Sequence, residues 1–307
     1  MTMRFTRRQF AASAAATTTL AALPTTLMAS SQPFAGGKLS SFSDGSMNLP
    51  IESVFYDIFD DDRQKFLQAA KVSDGIWRRP VNVNLLEIGE RKILFDVGSG
   101  LNFLPTLGEL PAALEAADVD ISSITDVIFT HAHPDHIWGI LDDFDDLLMP
   151  DAAYHISQAE WDFWDSDDAL TMMVPGRESF AVGAKSRFDK LRDQISFFKG
   201  GDEILSDIEA VDTAGHTPGH VSFLIHNAAG PVLIAGDALT HPIISIEHPE
   251  WHNPADMDRE KAALTRKRLL DRLAVDKIGL AATHLPAPGF GRVETNQSVW
   301  RYIAADS

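Results

Sequence analysis

Thr130-His131-Ala132-His133-Pro134-Asp135-His136 is the stretch that decides the fold: three imidazoles and a carboxylate follow directly on an apolar, strand-like run at 124–129. Imidazole nitrogen and carboxylate oxygen are the donors that zinc and similar borderline cations take. Residues two apart on extended backbone share a face, so His131 and His133 are expected to point together at one ion. Asp135 and His136 fall past the turn and aim at a second.

Other strand ends have to supply the remaining donors. The run at 208–213 leads into Ala214-Gly215-His216-Thr217-Pro218-Gly219-His220, where the glycines permit a tight turn. An apolar run at 231–235 ends in Gly236-Asp237, and another at 277–282 ends in Thr283-His284. The expected sets are His131, His133 and His216 for one ion and Asp135, His136 and His284 for the other, with Asp237 bridging them. Seven donors fill two sites, so His220 is assigned a bracing role behind them. His155, His226, His241, His248 and His252 have no ligand partner and read as surface or structural residues.

The order HxHxDH, AGHTPGH, AGD and a late TH resembles the metallo-β-lactamase superfamily over residues 80–290. That resemblance implies an α/β fold, a four-layer αββα sandwich of two similar halves, with a dinuclear site at one edge where loops of both halves meet. A narrower likeness lies in PTLGELPAALEAADVD (105–120), EWDFWDS (160–166) and ATHLPAPGFGRV (282–293), which resemble the branch containing methyl parathion hydrolase. It implies a substrate pocket walled by Phe103 and Trp164, with Phe180 as a third wall, and a segment at 247–251 bordering the active site.

The chemistry implied is hydrolysis. Two divalent ions, zinc foremost with manganese, cobalt or iron as alternatives, share a water and supply a metal-bound hydroxide near neutral pH. Asp135 or the bridging Asp237 orients it and carries its proton toward the leaving group, so these two are the candidate catalytic residues. No Gly-x-Ser-x-Gly elbow and no cysteine is present, which leaves covalent acyl-enzyme chemistry without support. The expected substrate is a small, neutral, fairly hydrophobic ester: an organophosphate triester, an aryl ester or a lactone. Alternatives on the same fold are a thioesterase, a β-lactamase-type hydrolase and a di-iron redox protein.

Composition sets the outer bounds. With 26 Lys and Arg against 44 Asp and Glu, the net charge of −18 repels phosphate backbones, which argues against a nucleic-acid partner. The absence of cysteine removes any disulfide framework and any thiolate ligand. Arg4, Arg7 and Arg8 precede Gln9-Phe10 and a mildly apolar stretch without acids, so residues 1–30 read as a signal peptide of the twin-arginine kind, too short and too polar for a stable membrane span. Periplasmic or secreted protein is the expected destination; export removes three arginines and no acid, taking −18 to −21. Residues 31–307 are expected to form one hydrolase domain, because the ligands at 131–284 must converge; a homodimer is left open. Within that domain the pattern predicts a linker at 31–37, strands at 39–42 and 53–59, and a helix at 60–70. A hairpin follows at 81–96 around Gly89-Glu90, then a helix at 107–117 and an irregular aromatic insert at 161–198.

Overall fold

Successive side chains at 93–95 and 127–129 alternate between two apolar environments, as strands buried on both faces require. Leu94, Val127 and Phe129 join one core, while Ile93, Phe95 and Ile128 join another. The computed structural model describes residues 30–34, 36–54, 60–70, 72–296 and 299–305 and shows what each face meets.

One seven-stranded sheet runs in the order of the chain: β1 (Ser30–Phe34), β2 (Gly37–Pro50), β3 (Ile76–Ile88), β4 (Arg91–Phe95), β5 (Asp126–Ile128), β6 (Ala153–Ser157) and β7 (Ile195–Phe198). The second, also of seven strands, contains β8 (Glu203–Leu205), β9 (Ile208–Asp212), β10 (Val221–Ile225), β11 (Val232–Ile234), β12 (Gly279–Ala281), β13 (Phe290–Asn296) and β14 (Val299–Ala304). Helices α1 (Ile51–Val54) and α2 (Asp60–Ala69) lie between β2 and β3, and α3 (Leu110–Ala116) between β4 and β5. After β5 come α4 (Pro134–Ile137), then α5 (Gln158–Asp165), α6 (Asp168–Met172) and α7 (Glu178–Leu191) between β6 and β7, and α8 (Arg259–Val275) between β11 and β12.

Leu110, Leu114, Trp161, Trp164 and Phe188 of α3, α5 and α7 cover the outer face of the first sheet. Leu39, Phe95, Ile128, Phe223, Ile234 and Phe290 fill the space between the sheets. Leu269, Leu270 and Leu273 of α8 close the outer face of the second against Leu224, Leu233 and Leu280. The layers are therefore helix, sheet, sheet, helix, the αββα sandwich expected. Among the described residues no helix is long and apolar enough to cross a membrane.

Parallel pairing is what gathers the site. β4 and β5 pair in parallel, with Phe95 opposite Ile128, and β11 and β12 do the same, with Ile234 opposite Ala281. Parallel neighbours end at the same edge, so Asp96 and residues 130–136 emerge together in one sheet, Asp237 and His284 in the other. The sheets are stitched there: Val221 N–H donates to Thr130 O at 3.0 Å and Asn82 N–H to Thr283 O at 2.8 Å.

Four expectations are corrected. Residues 31–37 are not a linker, since β1 pairs antiparallel with β2 from Ser30 opposite Ser41 to Phe34 opposite Gly37; an edge strand needs only backbone partners, and its polar composition concealed it. Ser53 and Val54 close the short helix α1, and 55–59 lie outside the described residues. The helix expected from 107 begins at Leu110, because Leu107 bridges to Gly45 and the Asp44 carboxylate takes the Leu110 N–H at 3.0 Å. The insert at 161–198 is largely helical: Ala181, Ala184, Phe188 and Leu191 sit at helical spacing on the buried face of α7. The signal-peptide reading falls on residues 1–29, outside those described, and Ser30, the last residue of that span, already belongs to β1.

Candidate metal centre

Beyond the end of β5 at Ile128 the chain reaches His133, still extended at φ −69° and ψ 158°, and Pro134 then opens α4. Proline suits this first helical position because its missing N–H has no partner to lose. The result separates the two pairs of donors: His131 and His133 lie on the extended arm, Asp135 and His136 on the helical turn. Opposite them, Gly215 adopts φ +137° with α8 so close that a Cβ would lie 2.5 Å from Ala262 N. That contact fixes the turn presenting His216.

Three nitrogens converge on the first arm: His133 Nδ1 lies 2.9 Å from His131 Nε2 and 2.9 Å from His216 Nε2. On the second, His284 Nε2 lies 3.2 Å from Asp135 Oδ2, and His136 Nε2 lies 3.6 Å from the same oxygen. Asp237 faces both groups, its Oδ2 3.3 Å from His216 Nε2 and its Oδ1 3.3 Å from His136 Nε2 and 3.1 Å from His284 Nε2. Donor atoms of His131, His133 and His216 lie within 4.8 Å of one another, as do those of Asp135, His136 and His284. All seven side chains are buried.

The outer nitrogens of four rings are already committed. His216 Nδ1 donates to Asp256 Oδ1 at 3.0 Å, His136 Nδ1 to Asp96 Oδ2 at 2.8 Å and His284 Nδ1 to Pro80 O at 2.8 Å. Thr130 donates its hydroxyl to Asp96 Oδ2 at 2.8 Å, which leaves Oγ1 to accept from His131 Nδ1 at 3.0 Å. Each of these rings therefore turns the lone pair of Nε2 inward. Among the described residues, Asp135 Oδ2, His136 Nε2, Asp237 Oδ1 and His284 Nε2 are buried without a hydrogen-bond partner. Lone pairs and carboxylate oxygens facing one another unpaired are costly unless a cation sits among them. The donor set fits two divalent cations.

Electrostatics agree. Burial pushes the pKa of His131 and His133 well down, helped by neighbouring imidazoles, so both are neutral donors. Burial also opposes charge on His136, but Asp135, Asp237 and Asp96 outweigh it and hold its pKa well above the ordinary value. The field that favours a proton there favours a metal cation equally. Burial works against the charges on Asp135 and Asp237 too, yet the surrounding histidines keep both carboxyls well below the usual range.

His220 does not join the donors. Its Nε2 accepts the Asp237 N–H at 3.0 Å and its Nδ1 lies 2.8 Å from Thr213 Oγ1, while burial drives its pKa down to about 3. It braces the Asp237 turn. His155 contacts Asp126 at 3.3 Å, and His241 caps the turn at 242–247 by accepting the Ile243 N–H at 3.1 Å.

Among the pocket residues, Phe180 meets the His133 ring edge-on at 5.7 Å and lines a cavity of about 180 Å³ with His133, Met172, Met173 and Met257. Phe103 packs edge-on against Phe180 at 5.8 Å. Trp164 also meets His133 edge-on, at 5.6 Å, but is fully buried. Its indole therefore backs the site and presents no surface to the cavity. In the 247–251 segment His248 stacks on Trp251, and Trp251 O accepts from Arg266 at 2.9 Å.

Sequence reasoning missed the residues that hold the donors in place, Asp96, Asp256 and above all Glu160, and it missed Arg79, whose Nη2 lies 3.4 Å from Asp237 Oδ2. The Glu160 carboxylate accepts from Ala132 N–H and Trp164 Nε1–H at one oxygen and from Thr217 Oγ1–H and Gly219 N–H at the other, at 2.6–3.0 Å. It clamps the 130–136 arm to the 214–220 turn. A Cβ at Gly219 would fall 2.0 Å from Glu160 N, so only glycine allows that approach. The available signal for Asp96 was its place at the end of the strand neighbouring the metal arm; Asp256 sits in a loop that carries none.

Comparisons with known proteins point the same way. A dizinc quorum-quenching lactonase, AidC, solved with a product, N-hexnoyl-L-homoserine, superposes with a TM-score of 0.83 at 25% identity, covering 91% of this chain and 98% of that one. The hydrolase AbOPH of the beta lactamase superfamily superposes with the same TM-score at 24% identity, over 91% and 98% of the two chains. The uncharacterized protein YobT of Bacillus subtilis (strain 168) is 29% identical over 199 residues, 63% of this chain and 79% of YobT. Residues 76–293, which carry every one of the seven donors, match the family model of the Metallo-beta-lactamase superfamily, and this chain belongs to that superfamily.

Proposed function

We propose that this chain is a dinuclear metal-dependent hydrolase that cleaves a neutral, fairly hydrophobic ester: an organophosphate triester, an aryl ester or a lactone. The observation that carries the reading is the convergence of seven histidine and aspartate donors whose inward atoms include four with no hydrogen-bond partner. Two divalent ions, most simply zinc, held by these seven residues would supply Lewis acidity toward the ester oxygen and lower the pKa of a water to about 7. The residues do the rest. Asp237 faces both donor groups and fixes their separation. Asp135, 7% exposed as a residue, is the group assigned to accept a proton from water and pass it toward the leaving oxygen. Methionines and Phe180 around the cavity beside His133 give an apolar group of the substrate its contact.

The likeness to the lactonase AidC supports the lactone arm of this proposal, and the quoted likeness to the methyl parathion hydrolase branch supports the triester arm. The twin-arginine segment supports export to the periplasm, to be checked by fractionation and N-terminal sequencing of the native protein. The test of function is hydrolysis of a paraoxon-type triester, an aryl acetate, an acyl lactone and nitrocefin. Protein reconstituted with zinc or manganese is compared with an Asp135→Ala, His136→Ala double variant. Turnover of an ester or lactone that the double variant lacks is the expected result; exclusive turnover of nitrocefin would move the substrate to β-lactams.

A further inference from the structure

Two arginines are buried near the metal centre, and they are satisfied very differently. Arg266, 2% exposed, donates to Asp256 Oδ2 at 2.7 Å, Pro249 O at 3.1 Å and Trp251 O at 2.9 Å. That is what a structural guanidinium looks like, with its fork closed by acceptors. Among the described residues Arg79, on β3 and 6% exposed, has one long side-chain hydrogen bond, Nη2 to Asp237 Oδ2 at 3.4 Å; its Nε has no partner there, and its guanidinium lies 5.2 Å from the Trp77 ring centroid. Charge-assisted bonds are usually near 2.7–2.9 Å, so the contact with Asp237 is a weak one.

Asp237 also cannot serve as its dedicated counter-ion. Both of its oxygens face the donor groups, and any cations held there claim its charge first. With two dications among Asp135 and Asp237, a buried guanidinium alongside adds positive charge to a site that is already positive. Leaving such a charge buried and unpaired is strongly unfavourable. An anion bound beside the centre gives that guanidinium the partner it lacks, and the proposed reaction makes one. Water oxygen bonds to the acyl carbon or phosphorus, the ester C–O or P–O bond breaks, the leaving oxygen takes a proton, and the acid released ionises to an oxyanion with two equivalent oxygens. A guanidinium fork matches that pair of oxygens.

We propose that Arg79 is an anion-binding residue of this centre, donating to the oxyanion formed as the ester is hydrolysed and to the carboxylate or phosphodiester product. The proposal rests on the hydrolase reading. Arg79 reaches the cluster at Asp237, Nη2 to Oδ2 at 3.4 Å, and like His133 and Asp135 it keeps a small exposure, 6% against 7% for each of them.

The experiment titrates benzoate and dimethyl phosphate, by calorimetry, into zinc-loaded wild type, Arg79→Gln and Arg79→Lys, with zinc content and melting temperature measured on each. Wild type is expected to bind at least one anion, and the two probes tell a carboxylate product from a phosphodiester. Arg79→Gln is expected to weaken that binding tenfold or more and to lower kcat by a similar factor, with two zinc ions and the melting temperature retained. Equal anion affinity in wild type and Arg79→Gln overturns the proposal, as does an inability of wild type to bind either probe. Loss of zinc from a folded Arg79→Gln also overturns it and makes Arg79 a structural partner of Asp237. If the glutamine variant does not fold, Arg79→Lys decides: weaker anion binding at unchanged zinc supports the fork, and unchanged binding sinks it. Failure of the hydrolase reading is seen separately, as wild type that holds zinc and turns over no ester.

Discussion

His216 owes its orientation to a carboxylate forty residues further along the chain. Asp256 is fully buried in its side chain, with His216 Nδ1 on one oxygen and Arg266 Nη1 on the other. Burial opposes its charge, and His216 and Arg266 together hold the carboxyl below its usual range. Removing it frees the ring and strands the arginine. Asp256→Ala is expected to weaken metal binding 10- to 100-fold, roughly the range for lost partners of metal-ligating histidines, and to cost about 3–5 kcal/mol for the unpaired Arg266. Competition against a chromophoric chelator and denaturant unfolding measure the two effects, and Asp256→Asn, which keeps an acceptor for Nδ1, should lose less affinity. Affinity unchanged in Asp256→Ala would mean that the ring is fixed by its packing alone. The contrast with the donors themselves is physical. Ligand chemistry restricts His131 or Asp237 to few residue types at strand ends, so they can be read from the chain. A residue like Asp256 needs only one oxygen about 3 Å from a ring nitrogen, from any element, and nothing in a chain with 44 acids singles it out.

Elements obey the same logic one level up. Where the two faces of a strand meet two cores, as at 93–95 and 127–129, the apolar run is plain in the sequence; where a helix is half exposed, as α7 is, acids and glycine interrupt the run and the period of 3.6 is easily lost. The start of α3 was unreadable for another reason, since it is set by Asp44 on the distant strand β2. The Asp44 carboxylate is buried and accepts the N–H of Ser99 at 2.9 Å and of Leu110 at 3.0 Å, tying the β4 end to the helix start. Burial raises its pKa to about 6 despite those two donors. For an acid whose folded pKa lies above its unfolded value near 4, the folded state holds the proton more tightly. Stability from this group is therefore greatest below about pH 4 and is lost as pH rises to about 6, by an amount of order 3 kcal/mol. Unfolding free energies of wild type and Asp44→Asn, taken from pH 4 to 7, test this: the wild type should lose stability relative to the variant across that window. A difference that stays flat, or moves the other way, would mean that Asp44 is ionised throughout and that its N–H donors outweigh its burial.

At the scale of the molecule the metal centre is the seam between two sheets. His131, His133, Asp135 and His136 come from the first, and His216, Asp237 and His284 from the second, so cations bound there join the halves. The resemblance carried by the order of motifs implied this arrangement of two halves meeting at one edge, while the spacing by itself said only that donors spread from 131 to 284 have to converge. What the order does not reveal is how the seam fares without cations. Glu160 clamps the 130–136 arm to the 214–220 turn, and Asn82 Nδ2 donates to Thr283 O and Leu285 O at 2.9 Å each, so the edge has hydrogen bonds of its own. Against them stand the unpartnered inward atoms of Asp135, His136, Asp237 and His284. A ligand that binds only the folded chain stabilises it by about 4 kcal/mol at a thousandfold excess over its Kd, and about 2–4 °C of melting temperature accompanies each kcal/mol in a chain of this size. Stripping the protein with a chelator at pH 7 is therefore expected to lower its melting temperature by about 8–16 °C, with recovery on adding back two equivalents of zinc. Melting that is indifferent to the chelator, in protein shown to have lost its metal, would mean that the Glu160 and Asn82 contacts alone hold the halves and that the empty donors find partners in water. Recovery at one equivalent would mean that a single cation closes the seam, leaving the second to the chemistry.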